Sequence, residues 1–201
     1  MLAAAFAPPI VFAVLVALAG GVALAELWAL RRAGGAAMGE LAVLIVGLGA
    51  LVYLRAIGER GAAHPAAAGL PPWLLLAIGA TWAADVGAYV VGSLGGRRRI
   101  VPRLSPGKTW EGTFGGFAAA SIAVLGIAAL FGLGRPAAAV AAVTIGPAAF
   151  AGDLLESWLK RRAGVKDSGT ILPGHGGMLD RIDSLLAVAP LVAGLTLATL
   201  G

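Results

Sequence analysis

The sequence lacks cysteine altogether and has little charge. Without cysteine, the chain forms no disulfide and offers no thiolate nucleophile and no Cys-ligated zinc or iron–sulfur site. Charged residues make up only 12% of the 201 residues, whereas a water-soluble domain carries about 25%. This composition is not that of an ordinary soluble domain, and we expect lipid rather than water around most of the chain.

Apolar residues are abundant instead: they form 59% of the sequence and give a mean hydropathy of +0.91. A helix needs about 20 apolar residues to cross a bilayer core of roughly 30 Å. Six stretches meet this requirement and predict an all-α fold, a polytopic membrane helix bundle. The predicted spans are approximately Ile10–Leu30, Ala37–Ile57, Trp73–Leu94, Gly112–Gly134, Pro136–Leu155 and Ser184–Leu200.

The basic residues are distributed unequally between the loops. Lys and Arg total 15 against 10 Asp and Glu, which gives a net charge of +5. If the six spans alternate in direction, twelve of the 15 fall on one side, and only Arg55, Arg60 and Arg135 fall on the other. The positive-inside rule places the twelve in the cytoplasm and both termini outside. Because this segregation accounts for the basic residues, we expect no nucleic-acid partner.

The most polar cytoplasmic stretch starts at Asp153 and ends at Asp183, and it holds five of the ten acidic residues. On a continuous fifth helix, Asp153, Glu156 and Lys160 share one face. Asp180 is three residues before Asp183 at the start of the sixth helix, so two carboxylate pairs can converge. Carboxylate clusters suit Mg²⁺, which usually shares its coordination sphere with water and substrate phosphates. Nearby lysines and arginines would neutralise those phosphates.

Other interpretations of the same residues stay open. The basic residues could merely set the topology or contact anionic lipid, and Asp180 and Asp183 could cap the last helix. Asp85 lies inside the third span, where a carboxylate costs about 2.5–3.5 kcal/mol on insertion scales and should face the bundle interior or a water-filled cavity. A polar contact to a neighbouring helix would also explain Asp85.

Two glycine-containing loops carry further candidates. Residues 173–177 form a small-residue turn that lets backbone approach a ligand and that presents His175, either as a catalytic group or as an ordinary hydrogen-bonded loop residue. Gly107-Lys108-Thr109 resembles the end of a P-loop, but a P-loop requires glycine where Pro102 stands. We reject a P-loop and keep a basic loop that holds phosphates.

The polar stretch contains a closely spaced set of distinctive residues. They are Ser157, Lys160, Arg161, Lys166, Asp167, Gly169, Leu172, Pro173, His175, Gly176, Gly177, Met178, Asp180, Arg181, Ile182 and Asp183. This pattern closely resembles the signature of the phosphatidate cytidylyltransferases, also called CDP-diglyceride synthetases. The upstream segments 105–112 and 85–89 also resemble segments of that family, so that the resemblance extends from Trp82 to the C-terminus.

The resemblance implies transfer of CMP from CTP to phosphatidate, giving CDP-diacylglycerol and pyrophosphate with Mg²⁺ as the cofactor. It implies a multi-pass protein of the bacterial inner membrane whose active site faces the cytoplasm and which acts in phospholipid biosynthesis. We expect metal ligands at Asp85, Asp153, Glu156, Asp180 and Asp183. We expect catalytic roles for Lys160, Lys166, Asp167, His175 and Arg181, and substrate binding by Ser105, Lys108, Thr109, Ser157, Arg161, Gly176 and Gly177.

The N-terminal part is shorter than the resemblance implies. Residues 1–70 hold two predicted membrane helices, and residues 71–201 form the predicted catalytic membrane domain. The short N-terminal part leaves room for a second copy, so that a homodimer is an expectation. Two other functions remain as alternatives: a CTP-dependent transferase or kinase acting on an isoprenoid lipid, and a small transporter with Asp85 as the coupling carboxylate. Because the polar residues gather at one membrane face, the transporter is disfavoured.

Overall fold

The computed structural model describes residues 2–34, 38–58, 60–63, 69–169 and 176–200. Within these residues the chain forms long helices and one short hairpin. In chain order the helices are α1 (Leu2–Ala5), α2 (Pro9–Arg32), α3 (Met38–Ala56), α4 (Pro72–Gly95), α5 (Trp110–Phe131), α6 (Arg135–Arg162) and α7 (Leu179–Leu200), and strands β1 (Arg99–Val101) and β2 (Ser105–Thr109) lie between α4 and α5.

Six of the described helices, α2 to α7, are long and apolar enough to cross a membrane. The prediction of an all-α membrane helix bundle with about six spans is therefore confirmed. The helix ends differ from the predicted spans because the polar last and first turns carry no hydropathy signal. Helix α6 continues to Arg162, beyond the predicted end at Leu155, and α7 begins at Leu179 rather than at Ser184.

The basic loop between α4 and α5 is an antiparallel hairpin, which the sequence analysis did not predict. Arg99 pairs with Thr109 in this two-stranded ladder. The carboxylate of Glu111, in the first turn of α5, accepts hydrogen bonds from the backbone N–H groups of Arg97 and Arg98, at 3.2 Å and 3.3 Å. The hairpin is thereby fixed to the N-terminus of α5 and projects its arginines into solvent.

Contacts between loops show which helix ends lie together. At one end of the bundle, the N–H of Ala63 donates to the carbonyl of Phe131 at the C-terminus of α5. At the other end, the Arg161 side chain near the C-terminus of α6 donates to the carbonyl of Leu104 in the hairpin turn, at 3.3 Å. We call this second end the polar end; it contains the hairpin, the C-terminus of α6 and the N-terminus of α7.

Small residues let the helices approach closely. A β-carbon at Gly112 would lie 2.8 Å from the carbonyl oxygen of Ala88, and one at Gly116 would lie 2.7 Å from that of Ala84. The glycine spacing in α5 therefore permits close contact with α4. Beneath the polar end, buried apolar residues of α2, α3, α6 and α7 form one cluster that includes Leu27, Leu30, Leu44, Leu159, Leu179, Ile182 and Leu186.

Candidate functional site

A cavity of about 440 Å³ opens at the polar end between α4, α5, α6 and α7. Its ionisable lining residues are Asp85, Lys108, Asp153, Glu156, Lys160, Asp180 and Asp183. Five carboxylates and two lysines give the lining a formal charge of −3 if all are ionised. A cavity with this charge favours cations and repels an anion that arrives without one.

A glycine on α6 brings the acidic residues of two helices together. A β-carbon at Gly152 would lie 2.7 Å from the carbonyl oxygen of Asp183 and 3.1 Å from the Cα of Ser184. Only glycine therefore fits where α6 crosses α7 at this distance. The next residue, Asp153, and Glu156 one turn later are thereby placed opposite Asp183.

Three carboxylates form a cluster that fits a divalent cation. Asp153, Glu156 and Asp183 each offer one carboxylate oxygen, and these atoms all lie within 4.8 Å of one another. Glu156 is only 4% exposed, and its Oε1 has no hydrogen-bond partner among the described residues. A buried carboxylate oxygen without a partner is costly. Hard oxygen donors grouped in this way suit Mg²⁺.

Two lysines lie at opposite edges of the cluster. Lys108, from the hairpin, forms an ion pair with Asp153. The Lys160 Nζ lies 2.6 Å from Glu156 Oε2 and 2.6 Å from Asp180 Oδ1. The ion pair between Lys160 and Glu156 confirms the prediction that these residues share one face of α6. Both lysines line the cavity, where they would face an anionic substrate that enters it.

Asp180 has one carboxylate oxygen directed at the loop before α7 and the other at α6. Its Oδ2 accepts hydrogen bonds from the Ser168 N–H at 2.9 Å and the Gly177 N–H at 2.7 Å, and it lies 2.9 Å from the Ser168 hydroxyl. Its Oδ1 accepts from Lys160. In the structure Asp180 therefore organises the loop, and it is Glu156 that lies in the three-carboxylate cluster with Asp153 and Asp183. A metal ligand role for Asp180 stays a prediction.

Glu26 on α2 belongs to the same network and is not among the site residues predicted from the sequence. It is 6% exposed, and its carboxylate accepts hydrogen bonds from the Met178 N–H at 2.9 Å and the Leu179 N–H at 2.8 Å. The Ser168 hydroxyl lies 3.0 Å from Glu26 Oε2 and can donate its proton either to Glu26 or to Asp180. The available signal was a carboxylate inside an apolar span, the same signal that singled out Asp85.

Several predicted substrate-binding residues also have structural contacts. Thr109 lines the cavity and caps α5, where its hydroxyl accepts from the Gly112 N–H at 3.1 Å. The Ser157 hydroxyl donates to Asp153 Oδ1 at 3.4 Å. Arg161 donates to two backbone carbonyls and thereby connects the hairpin to the loop after α6.

The remaining predicted residues are placed as follows. Asp85 lines the cavity from α4. Ser105 is half-buried at the start of β2, and Gly176 and Gly177 precede α7 next to Asp180. Lys166 and Asp167 are exposed on the loop after α6, Arg181 is exposed on the first turn of α7, and all three lie outside the lining of the cavity. His175 lies outside the described residues.

Comparisons with known proteins show which family the chain resembles. Residues 62–198 match the model of the cytidylyltransferase family. The chain is 44% identical to a phosphatidate cytidylyltransferase of Pseudomonas aeruginosa over 132 residues, which cover 57% of the chain and 43% of that protein. A phosphatidate cytidylyltransferase of Brucella suis is 47% identical over 115 residues, 55% of the chain and 42% of that protein. One of Staphylococcus epidermidis is 43% identical over 129 residues, 63% of the chain and 50% of that protein.

The matched segments span half or less of the length of these curated relatives. The family match itself covers more than half of the chain and includes all residues of the cavity lining. The resemblance first seen between Ser157 and Asp183 is thereby confirmed, and the chain belongs to the cytidylyltransferase family.

Proposed function

We propose that the chain transfers CMP from CTP to phosphatidate, forming CDP-diacylglycerol and pyrophosphate for phospholipid biosynthesis. The observation that carries this proposal is the cluster of Asp153, Glu156 and Asp183, within 4.8 Å of one another, in a lysine-edged cavity at the polar end of the bundle. The names of the relatives support the choice of substrates.

Asp153, Glu156 and Asp183 would hold Mg²⁺, with Asp85 and Asp180 at the edge of the site. The donor set fits this ion because it consists of carboxylate oxygens, one of which is buried and lacks a partner. When bound, Mg²⁺ supplies positive charge that neutralises phosphate oxygens and orients them. With all of its carboxylates ionised, the cavity lining has a formal charge of −3, which a bound cation would offset as two anionic substrates enter.

The proposed reaction needs no protein nucleophile. A phosphate oxygen of phosphatidate forms a bond to the α-phosphorus of CTP, and the bond from this phosphorus to the bridging oxygen of pyrophosphate breaks. The attacking phosphate is already an anion at neutral pH, so a strong general base is dispensable. The main tasks of the chain are therefore to position the two substrates and to offset their charge, and we assign the second task to Lys108 and Lys160.

The position of the cavity suits one lipid substrate and one water-soluble substrate. A lipid held in the leaflet presents its headgroup at the membrane edge, while CTP arrives from the aqueous side. Exposed arginines of the hairpin region, namely Arg97, Arg98, Arg99 and Arg103, surround the aqueous side with positive charge. We propose that this side is the cytoplasm and that the membrane is the bacterial inner membrane. A homodimer stays a prediction.

The proposal is tested with the full chain purified in detergent, using CTP labelled at either the α- or the γ-phosphate. We expect α-label, but no γ-label, to enter the lipid with phosphatidate as acceptor and only with Mg²⁺ present. Entry of γ-label would identify a lipid kinase, and α-label entering an isoprenoid phosphate but not phosphatidate would identify a different acceptor. Absence of labelled lipid under all conditions would contradict the proposed transferase activity and favour a non-enzymatic function.

The metal assignment has its own variants. We expect Glu156→Gln and Asp183→Asn to lose CDP-lipid formation while remaining folded, because each removes a charged ligand from the cluster. Arg135→Gln is the matched control, since it removes a charge from the first residue of α6 at the opposite end of the bundle. Turnover close to wild type in both acidic variants would contradict the metal assignment.

A further inference from the structure

The carboxylate of Glu26, on α2, caps the N-terminus of α7. The first N–H groups of a helix have no partner within the helix, and the positive end of the helix dipole lies there. At α7 the N–H of Leu179, its first residue, donates to Glu26 Oε2 at 2.8 Å, and the N–H of Met178 donates to Oε1 at 2.9 Å. A side chain of α2 thus supplies the cap that the sequence next to α7 does not.

The segments around Glu26 are shaped to admit its carboxylate. A β-carbon at Gly169 would lie 2.6 Å from Glu26 Oε1, and one at Gly177 would lie 2.5 Å from Glu26 Oε2. A side chain at either position would have to displace the carboxylate, so that glycine at both positions lets the loop segments contact Glu26 closely. The backbone before α7 is therefore in direct contact with the Glu26 carboxylate.

A chain of hydrogen bonds connects Glu26 to the three-carboxylate cluster. The Ser168 hydroxyl lies 3.0 Å from Glu26 Oε2 and 2.9 Å from Asp180 Oδ2, so that its single proton can be donated to either carboxylate. Asp180 in turn binds Lys160, which binds Glu156 at 2.6 Å. Glu26 also fixes the first residue of α7, one turn before Asp183. Both branches end at carboxylates that we assign to the metal.

We infer that Glu26 is a positioning residue, which fixes the turn before α7 so that Asp183 and the Lys160–Glu156 pair have the geometry for metal binding and catalysis. The inference rests on the proposed function, but it adds a residue of the N-terminal segment, outside the family match of residues 62–198. Glu26 touches no reacting atom and acts through the backbone of α7 and through Ser168.

Glutamine is the informative replacement because it keeps the shape of the side chain. The Glu26 carboxylate uses two acceptor oxygens for three donors, whereas a glutamine amide has only one oxygen and turns an N–H₂ toward a donor. Aspartate keeps both oxygens and the charge but is one methylene shorter. We therefore expect Glu26→Asp to retain more activity than Glu26→Gln. Leu18→Ala, at a 65% exposed position of α2, is the matched control.

Three measurements on the purified full chain test the inference. Hydrogen–deuterium exchange of the metal-free protein reports on the N–H groups of Met178 and Leu179, and we expect faster exchange there in Glu26→Gln. Titration with Mn²⁺, followed by electron paramagnetic resonance, should show affinity lowered about tenfold, in line with the loss of a hydrogen bond to a charged group. The kcat of CDP-lipid formation should fall by a similar factor of about ten, with the KM for CTP changed much less.

The outcomes separate this inference from the proposed function. If the wild type forms no CDP-lipid, the proposed function fails, and the exchange and Mn²⁺ measurements still decide the role of Glu26. Wild-type Mn²⁺ affinity in Glu26→Gln would overturn the inference, whether or not the variant is less stable. A purely structural role is distinguished in the same way, since it would lower the folded fraction of Glu26→Gln without changing the Mn²⁺ affinity or kcat of the folded molecules.

Discussion

Replacing Gly152 by alanine tests how helix packing builds the carboxylate cluster. The added β-carbon would lie 2.7 Å from the carbonyl oxygen of Asp183, 2.9 Å from the Cβ of Ala187 and 3.1 Å from the Cα of Ser184. Ordinary contact begins at 3.4 Å, so that the gap to be opened is 3.4 minus 2.7, or at least 0.7 Å. No side-chain rotation relieves a clash with backbone atoms, and α6 and α7 must therefore move apart.

The cost to stability is small compared with the expected cost to activity. Overpacking by one methyl group costs about 1–3 kcal/mol, while alanine in place of glycine inside a helix returns about 0.8–1.0 kcal/mol. The net destabilisation is about 0–2 kcal/mol, which leaves a protein of ordinary stability folded. Displacement of catalytic groups by about 1 Å can reduce a rate roughly 100-fold. We therefore expect CDP-lipid formation to fall by about tenfold to 100-fold.

The assay is the rate of CDP-lipid formation over a range of Mg²⁺ concentrations, together with the thermal unfolding midpoint in the same detergent. Gly152→Ala should need more Mg²⁺ for half its maximal rate, because Asp183 moves away from Asp153 and Glu156. Gly194→Ala on α7 is the control, since a β-carbon there meets no atom within 4 Å. A wild-type rate and Mg²⁺ requirement in Gly152→Ala would refute the reasoning.

Three further predictions concern contacts around the site. Lys160→Met leaves the carboxylates of Glu156 and Asp180, both poorly exposed, without their cation. Because breaking a buried pair costs about 3–5 kcal/mol, we expect a lower thermal unfolding midpoint, and a wild-type midpoint would contradict this. Gly177→Ala places a β-carbon 2.5 Å from Glu26 Oε2 and should lower turnover by about tenfold, as expected for Glu26→Gln, with unchanged helix content by circular dichroism. Gly126→Ala, with open space around it, should remain active. Thr109→Val removes the cap of α5 and should cost about 1 kcal/mol, measured by denaturant unfolding.

The membrane spans follow from the sequence because a bilayer imposes a minimum length of apolar helix. Hydropathy does not show where a helix ends when its last turns are polar. The stretch of α6 from Glu156 to Arg162 and the first turn of α7 therefore lie outside or at the margin of the predicted spans, although they are helical. The hairpin was missed for a related reason, since a three-residue strand paired with a five-residue strand is too short for a periodic pattern.

Part of the site also follows from local periodicity. The helical repeat correctly places Glu156 and Lys160 on one face of α6, because both residues belong to the same element. It does not tell which carboxylate of α7 faces the cavity cluster. Asp180 and Asp183 differ by one turn, yet Asp183 joins the cluster while Asp180 binds the preceding loop. That difference depends on where the loop lies, which is a tertiary property.

Glu26 shows the same limit over a longer distance. Its partners are separated from it by 142 to 153 positions in sequence, and no local pattern connects them. The intramembrane position of its carboxylate was informative by itself, because such a group must find a partner. The partner proved to be backbone N–H at the start of α7, a group that every helix has and that no sequence motif marks.

The charge of the cavity explains why metal and nucleotide binding should be coupled. With all of its groups ionised, the lining has a formal charge of −3, so that a triphosphate would be repelled from the cavity although two lysines line it. One divalent cation among Asp153, Glu156 and Asp183 would reduce the charge to −1 and would use the oxygen of Glu156 that lacks a partner. Lys108, already paired with Asp153, would then be released toward phosphate as that carboxylate turns to the cation, whereas Lys160 lines the same cavity and keeps Asp180 as a partner. The acidic cluster thus makes entry of an anionic substrate conditional on the cation that the proposed chemistry requires.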